Sequence, residues 1–186
     1  MLAANHVGAF ARLVVDRQAA ADGDRSASAT AVVLTLLHHG PMTTTELARI
    51  IGVRQPTAHR LVGHLVDDGL VERRGGGRRV ELRLTRRGRA ATHRSQRARV
   101  EVVEGLLGVL SAEELAFLDD AVSRVLAAAT PDRATARNLC RFCDHAVCDG
   151  PACPVGMAAT ARERDRRDDA PDGSRTHDDH PFEERP

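Results

Sequence analysis

The chain has no tryptophan, no tyrosine and no lysine, and only four phenylalanines among its 186 residues. So few rings argue against a surface that stacks unpaired bases, because such platforms need exposed aromatics. With lysine absent, every basic side chain is arginine, and arginine enrichment by itself carries little functional meaning. No run of eighteen apolar residues exists. Met1 to Asp16 alternates apolar and polar residues without a small-residue cleavage site, so neither a membrane span nor a secretory signal is expected. No nucleotide-binding glycine pattern, Ser-His-Asp arrangement or distinctive carboxylate pair stands out, and the expectation is that the chain is not an enzyme. Cysteine is confined to four positions within fourteen residues. The predicted location is the cytoplasm, where thiols stay reduced and clustered cysteines favour metals over disulfides.

The length suits one well-buried domain with appendages. The formal net charge of +1 conceals an asymmetry: eleven arginines face one acid between Arg73 and Arg99, whereas Thr160 to Pro186 holds nine acids and six arginines. A basic centre with an acidic tail predicts a phosphate-binding surface and a solvated appendage.

Helical periodicity places Val7, Phe10, Leu13 and Val14 on a first helix over His6 to Ala20, and a more continuously apolar second helix spans Ala29 to His38. Thr43 and Glu46 fit a capping box that opens a short helix closed by Gly52. In Gln55 to Asp68, Pro56 sits in the first turn, and Ala58, Leu61, Val62 and Leu65 form one narrow apolar stripe. Strands are predicted at Leu70 to Arg73 and Arg79 to Leu84, the second turning Val80, Leu82 and Leu84 inward, with Gly75-Gly76-Gly77 at the tip between them. Further on, Val100, Val103, Leu106, Leu107 and Leu110 make a stripe. Ser111 and Glu114 form a second capping box before a seam of Leu115, Leu118, Val122, Val125 and Ala129, which reads as a subunit interface.

Helix, turn, helix and a basic two-stranded wing form a geometry that sets one helix in a DNA major groove and a loop on the adjacent minor groove or backbone. The outward face of the second of these helices carries Gln55, Thr57, His59, Arg60 and His64, whose amide, guanidinium and hydroxyl groups suit base edges and phosphates. Arg78 and Arg79 are the natural wing contacts, with Arg73, Arg74 and Arg83 adding positive field. The predicted fold is mainly α: a winged helix-turn-helix with a two-stranded β-wing and terminal dimerisation helices.

Pro41 to Ala48, Gly52-Val53, Pro56-Thr57, Arg60-Leu61-Val62, Gly69 to Arg73, and Leu84-Thr85 followed by Gly88 occur in that order. This succession resembles MarR-type winged-helix transcriptional regulators over roughly Val7 to Ala129. The resemblance implies a homodimer with intertwined terminal helices that binds a pseudo-palindromic double-stranded operator, as a repressor or less often an activator, and releases it when a small-molecule effector or oxidant acts. Two positions depart from the family. Arg54 replaces the usual capping residue of the recognition helix and becomes a candidate phosphate contact. Gly76 replaces the acid that usually lies two residues before the arginine aligned with Arg78.

Cys140, Cys143, Cys148 and Cys153 are spaced C-x2-C-x4-C-x4-C, a metal-ligand pattern matching the CCHC zinc knuckle with Cys148 in place of histidine. Zn2+ is the favoured occupant. An iron-sulfur cluster, to which Cys153-Pro154 also suits, and reversibly oxidised free thiols are the alternatives. Phe142 and Val147 are placed to shield a centre, Arg137 and Arg141 to lower thiol pKa values, and His145 to serve as another ligand. His38, His39, His177 and His180 read as surface or loop histidines. The predicted organisation is an N-terminal dimerisation helix and linker (1–28), a DNA-binding domain (29–89), C-terminal dimerisation helices (90–130), a metal-binding segment (131–157) and a disordered tail (158–186). Two rival functions stay open: an iron-sulfur electron carrier, and a zinc-knuckle binder of single-stranded nucleic acid.

Overall fold

The computed structural model describes residues 1–76 and 79–169. In chain order these form α1 (Leu2–Ala21), α2 (Ala27–His39), α3 (Thr44–Ile51), α4 (Gln55–Asp67), β1 (Val71–Arg74), β2 (Glu81–Leu84), α5 (Arg86–Leu107), α6 (Ala112–Ala128), α7 (Arg133–Leu139) and α8 (Pro154–Asp168). Short 3-10 turns occur at Cys140–Phe142 and Gly150–Ala152. The result is the mainly helical winged architecture that the sequence predicts.

Local signals set the helix starts. Thr43 accepts a bond from the Glu46 amide while the Glu46 carboxylate reaches back to the Thr43 amide, and Ser111 and Glu114 repeat the arrangement on α6. Ser26, Thr85 and Asp132 cap α2, α5 and α7 in the simpler way. Gly52 closes α3 at φ +71°, in the left-handed region where glycine is favoured.

The core gathers Val32, Val33 and Leu36 from α2, Leu47, Ile50 and Ile51 from α3, Val62 and Leu65 from α4, and Val71, Leu82 and Leu84 from the hairpin. The hairpin is antiparallel, pairing Val71 with Leu84 and Arg74 with Glu81. Its base is tied to the segment before α3, because Leu82 and Met42 exchange backbone bonds of 2.8 and 3.4 Å. The wing is therefore fixed to the same core that carries α4.

Several details differ from expectation. Strand β2 starts at Glu81, and Val80 is exposed rather than turned inward. The chain leaves the pairing at Gly75, whose φ of +99° and close approach to the Arg79 carbonyl suit no other residue. The buried face of α5 is polar: Thr92, Ser95, Gln96 and Arg99 face inward, while Val100 is exposed. Neither α1 nor α6 buries a residue.

The largest difference lies beyond residue 130. A disordered tail from 158 is wrong for residues up to 168, which belong to α8. Val155 and Ala159 bury against Ala136, Arg133 bonds Glu163 at 2.8 Å, and Arg162 and Arg166 donate to the carbonyls of Ala127 and Pro131. A few small apolar contacts and end-on arginine bonds thus replace the broad apolar stripe that a sequence pattern registers. The remainder of the predicted tail, from residue 170, lies outside the described residues.

Candidate nucleic-acid interface and thiol centre

Helix α4 buries Ala58, Val62 and Leu65, which turns its other face outward. Gln55, His59, Arg60 and His64 are exposed there and Thr57 is half-buried, so the five predicted groove residues share one accessible helix. Gln55 is already oriented, its amide donating to the Thr45 hydroxyl at 3.1 Å across the turn from α3. Arg54 is exposed and makes no side-chain cap on α4, which leaves the first backbone N–H groups of the helix without a side-chain acceptor from that residue.

The wing divides its charges by strand alternation. Arg74 pairs with Glu72 at 2.9 Å, and Glu81 sits between Arg83 at 3.3 Å and Arg79 at 3.4 Å. Arg73 lies on the opposite face of the hairpin, exposed, with no salt bridge among the described residues. The predicted positive field is therefore partly neutralised by Glu72 and Glu81. Arg78 lies outside the described residues.

The four cysteines are free thiols arrayed around the junction of α7 and α8. Cys140 follows α7, Cys143 closes the next turn through a 3.0 Å backbone bond to Cys140, and Cys148 donates from its amide to the Asp144 carbonyl at 2.9 Å. Cys153 is buried and caps α8, its sulfur accepting the Gly156 amide at 3.2 Å. The Cys140 thiol interacts with those of Cys143 and Cys153, and Cys148 also interacts with Cys153. The bond from Cys140 lowers Cys143 to about 7, whereas that bond and burial raise Cys140. Burial and the neighbouring Cys153 push Cys148 up to about 11.

Among the described residues, no three His, Cys, Asp or Glu side chains already surround a metal position. The chemistry of the donor set itself fits: four thiols within one short segment, Cys140 interacting with Cys143 and Cys153, and Cys148 with Cys153 and Cys143. A cavity of about 490 Å3 is lined by Cys140, Cys148 and Cys153 together with Arg133 and Arg137, cations suited to balance a thiolate centre.

That cavity also shows what sequence reasoning missed. His38 and His39, expected to be surface or loop histidines, lie at the end of α2, half-buried and exposed respectively, and both face His145, with ring centroids 4.5 and 5.0 Å away. Burial lowers the pKa of both His38 and His39. Asn138 and Gln96 join the thiol segment to the winged helix and carried no sequence signal, since a lone amide has no periodicity. His145 lies beside the thiols, its ring nitrogen 3.4 Å from the Cys140 carbonyl oxygen. His177 and His180 lie outside the described residues.

Residues 24–79 match the family model of the MarR family. Among solved structures, a MarR family protein from Bacillus stearothermophilus is 20% identical with a TM-score of 0.60, covering 65% of this chain and 88% of its own. RV1404 from Mycobacterium tuberculosis is 22% identical with a TM-score of 0.59, covering 66% and 88%. MepR, a transcription regulator of the Staphylococcus aureus multidrug efflux pump MepA, is 20% identical with a TM-score of 0.55, covering 64% and 94%. No curated protein matches the chain. The chain shares the fold of these MarR-family structures, and the four cysteines lie outside the family-model match.

Proposed function

We propose that this MarR-type winged-helix chain is a sequence-specific transcriptional regulator of double-stranded DNA, a repressor that acts as a homodimer. The observation that carries this reading is the exposed face of α4, polar from Gln55 to His64, beside a hairpin bearing Arg73, Arg74 and Arg79. A major-groove helix supplies specificity and the arginines supply phosphate attraction. Dimerisation is supported by α1 and α6, which expose Val7, Phe10, Phe117 and Val125 and bury nothing. Apolar rows on two helices require a cover, and a second copy provides it symmetrically. The test is selection of duplexes from a random pool. A dyad-symmetric site bound by two chains is expected. Binding without sequence preference, or preference for single strands, overturns the reading.

Cys140, Cys143, Cys148 and Cys153 would hold Zn2+, which supplies a fixed tetrahedral charge centre and folding energy without redox chemistry. The cavity beside three of the thiols favours a second reading, an iron-sulfur cluster, because it offers room beyond a single ion. Metal analysis and an absorption spectrum on anaerobically purified protein separate the two. Colourless protein with about one zinc per chain supports the first. Iron with acid-labile sulfide supports the second, and neither metal refutes both.

A further inference from the structure

We propose that Asn138 is the positioning residue through which the helix-turn-helix reads the state of the cysteine centre. This rests on the reading of the four cysteines as a metal site. The Asn138 amide donates to the Ile50 carbonyl at 2.9 Å, in the last turn of α3, where the helix itself supplies no donor. It also packs on the turn into α4: a Cβ added at Gly52 would stand 2.9 Å from Asn138 Nδ2. A side chain two residues before the first thiol therefore braces the joint that sets the angle of α4.

The brace is held from the thiol side. Arg141, the residue after Cys140, donates to the Asn138 side-chain oxygen at 2.9 Å and also to its backbone carbonyl. Its guanidinium lies 4.9 Å from the centre of the Phe142 ring, and Phe142 packs against the winged-helix core. Gln96 on α5 donates to the Phe142 carbonyl at 3.2 Å and lies 3.3 Å from the His38 ring. Asn138 to Cys143 thus alternates attachments to the winged helix with thiols: Asn138, Cys140, Phe142, Cys143. Gathering Cys140 and Cys143 on one ion fixes the turn between them and with it the amide on Ile50. Loss of the ion lets that turn open and releases the α3–α4 joint.

The full chain is compared in Zn2+-loaded and chelator-stripped states, as wild type and as Asn138→Ala, by backbone hydrogen exchange and by affinity for a duplex selected with the loaded protein. In the wild type, stripping is expected to speed exchange over residues 48–55 and to weaken binding at least about fivefold, the low end of usual allosteric coupling. Asn138→Ala is expected to retain its zinc yet show the same exchange and affinity in both states. Should the alanine variant fail to fold, Asn138→Ser, whose hydroxyl is too short to span to Ile50, is expected to behave likewise. A variant that keeps the full wild-type response overturns the proposal. Wild type that holds zinc but responds in neither readout overturns the relay and leaves the metal site standing. Wild type that binds no metal removes the metal site and the relay together.

Discussion

The Asp22 carboxylate receives the Arg99 guanidinium at 2.6 Å, and both side chains are almost entirely withdrawn from water, at 1% and 8% exposure. Asp22 also accepts the Ser95 hydroxyl at 2.8 Å, Arg99 donates to the Gln18 amide oxygen at 2.9 Å, and the guanidinium lies 4.5 Å from the centre of the Phe142 ring. One ion pair therefore joins the end of α1, the middle of α5 and the thiol segment. Removing a single partner strands a buried charge, which typically costs about 3–5 kcal/mol. Asp22→Ala is expected to lose stability of that order in urea titrations. Arg12→Ala, which breaks the exposed pair with Asp16, is expected to lose less than about 1 kcal/mol. Similar losses in the two variants would show that burial gives the Asp22 pair no special weight.

Two glycines in helices are expected to respond in opposite directions. A Cβ at Gly88 would lie 1.9 Å from the Leu70 carbonyl oxygen, backbone that also receives the Thr85 amide at 3.0 Å. Gly88→Ala must push α5 off the base of the wing and is expected to lower the melting temperature sharply. Gly63, within α4, has open space around the added carbon. Gly63→Ala is expected to stabilise by up to about 1 kcal/mol through reduced backbone entropy. A stable Gly88→Ala protein would show that the wing base is more yielding than its geometry indicates.

The contrast between these glycines also bears on what sequence can carry. Thr43 with Glu46, and Ser111 with Glu114, are legible because a capping box lies within four residues. The Ala58, Val62 and Leu65 stripe is legible because one face of α4 is dry. Helix α8 offers neither signal: it is anchored by Arg162 and Arg166 reaching carbonyls 35 residues away. The same holds at the thiol centre. Cysteine spacing marks the donors, but Asn138 meets Ile50 across 88 positions and Gln96 meets Phe142 across 46, distances over which no local pattern forms.

DNA contacts are expected to separate by kind. Arg60 stands on the outward face of α4, so Arg60→Ala is expected to cost about 1–3 kcal/mol on the selected duplex and to relax preference at one base position. Arg73 on the wing is exposed and free of salt bridges among the described residues. Arg73→Ala is expected to weaken all duplexes alike and to reduce the salt slope by about one. Uniform loss for Arg60→Ala would reassign Arg60 to a phosphate.

Acid stability is expected to depend on the cap of α3. The Thr43 amide and hydroxyl each donate to the Glu46 carboxylate at 2.8 Å, and these bonds hold its pKa below the ordinary value. A depressed carboxylate contributes stability that is fully present above the unfolded-state pKa and is lost as pH falls through the folded-state pKa. Glu46→Gln cannot lose that charge. It is expected to be the less stable protein at pH 7, with the gap to wild type closing in urea titrations carried down through the carboxylate range. A gap that stays constant would leave the Thr43 bonds without a titrating role.

The paired thiols make a prediction for the metal-free chain. Cys140 donates to Cys143 and holds its pKa at about 7, while the same bond and burial raise Cys140. A single thiolate is therefore expected near neutrality, with the second thiol ionising above the ordinary value. Alkylation requires the thiolate, so iodoacetamide labelling mapped by mass spectrometry is expected to reach Cys143 first, with a rate midpoint near pH 7. Cys148, at about 11, is expected to lag far behind. Cys140→Ala removes the donor and should move the Cys143 midpoint upward. Zinc should slow labelling at all four positions, because coordinated sulfur is no longer free to attack. A Cys143 midpoint unchanged in Cys140→Ala would mean that Cys140 does not hold that thiolate.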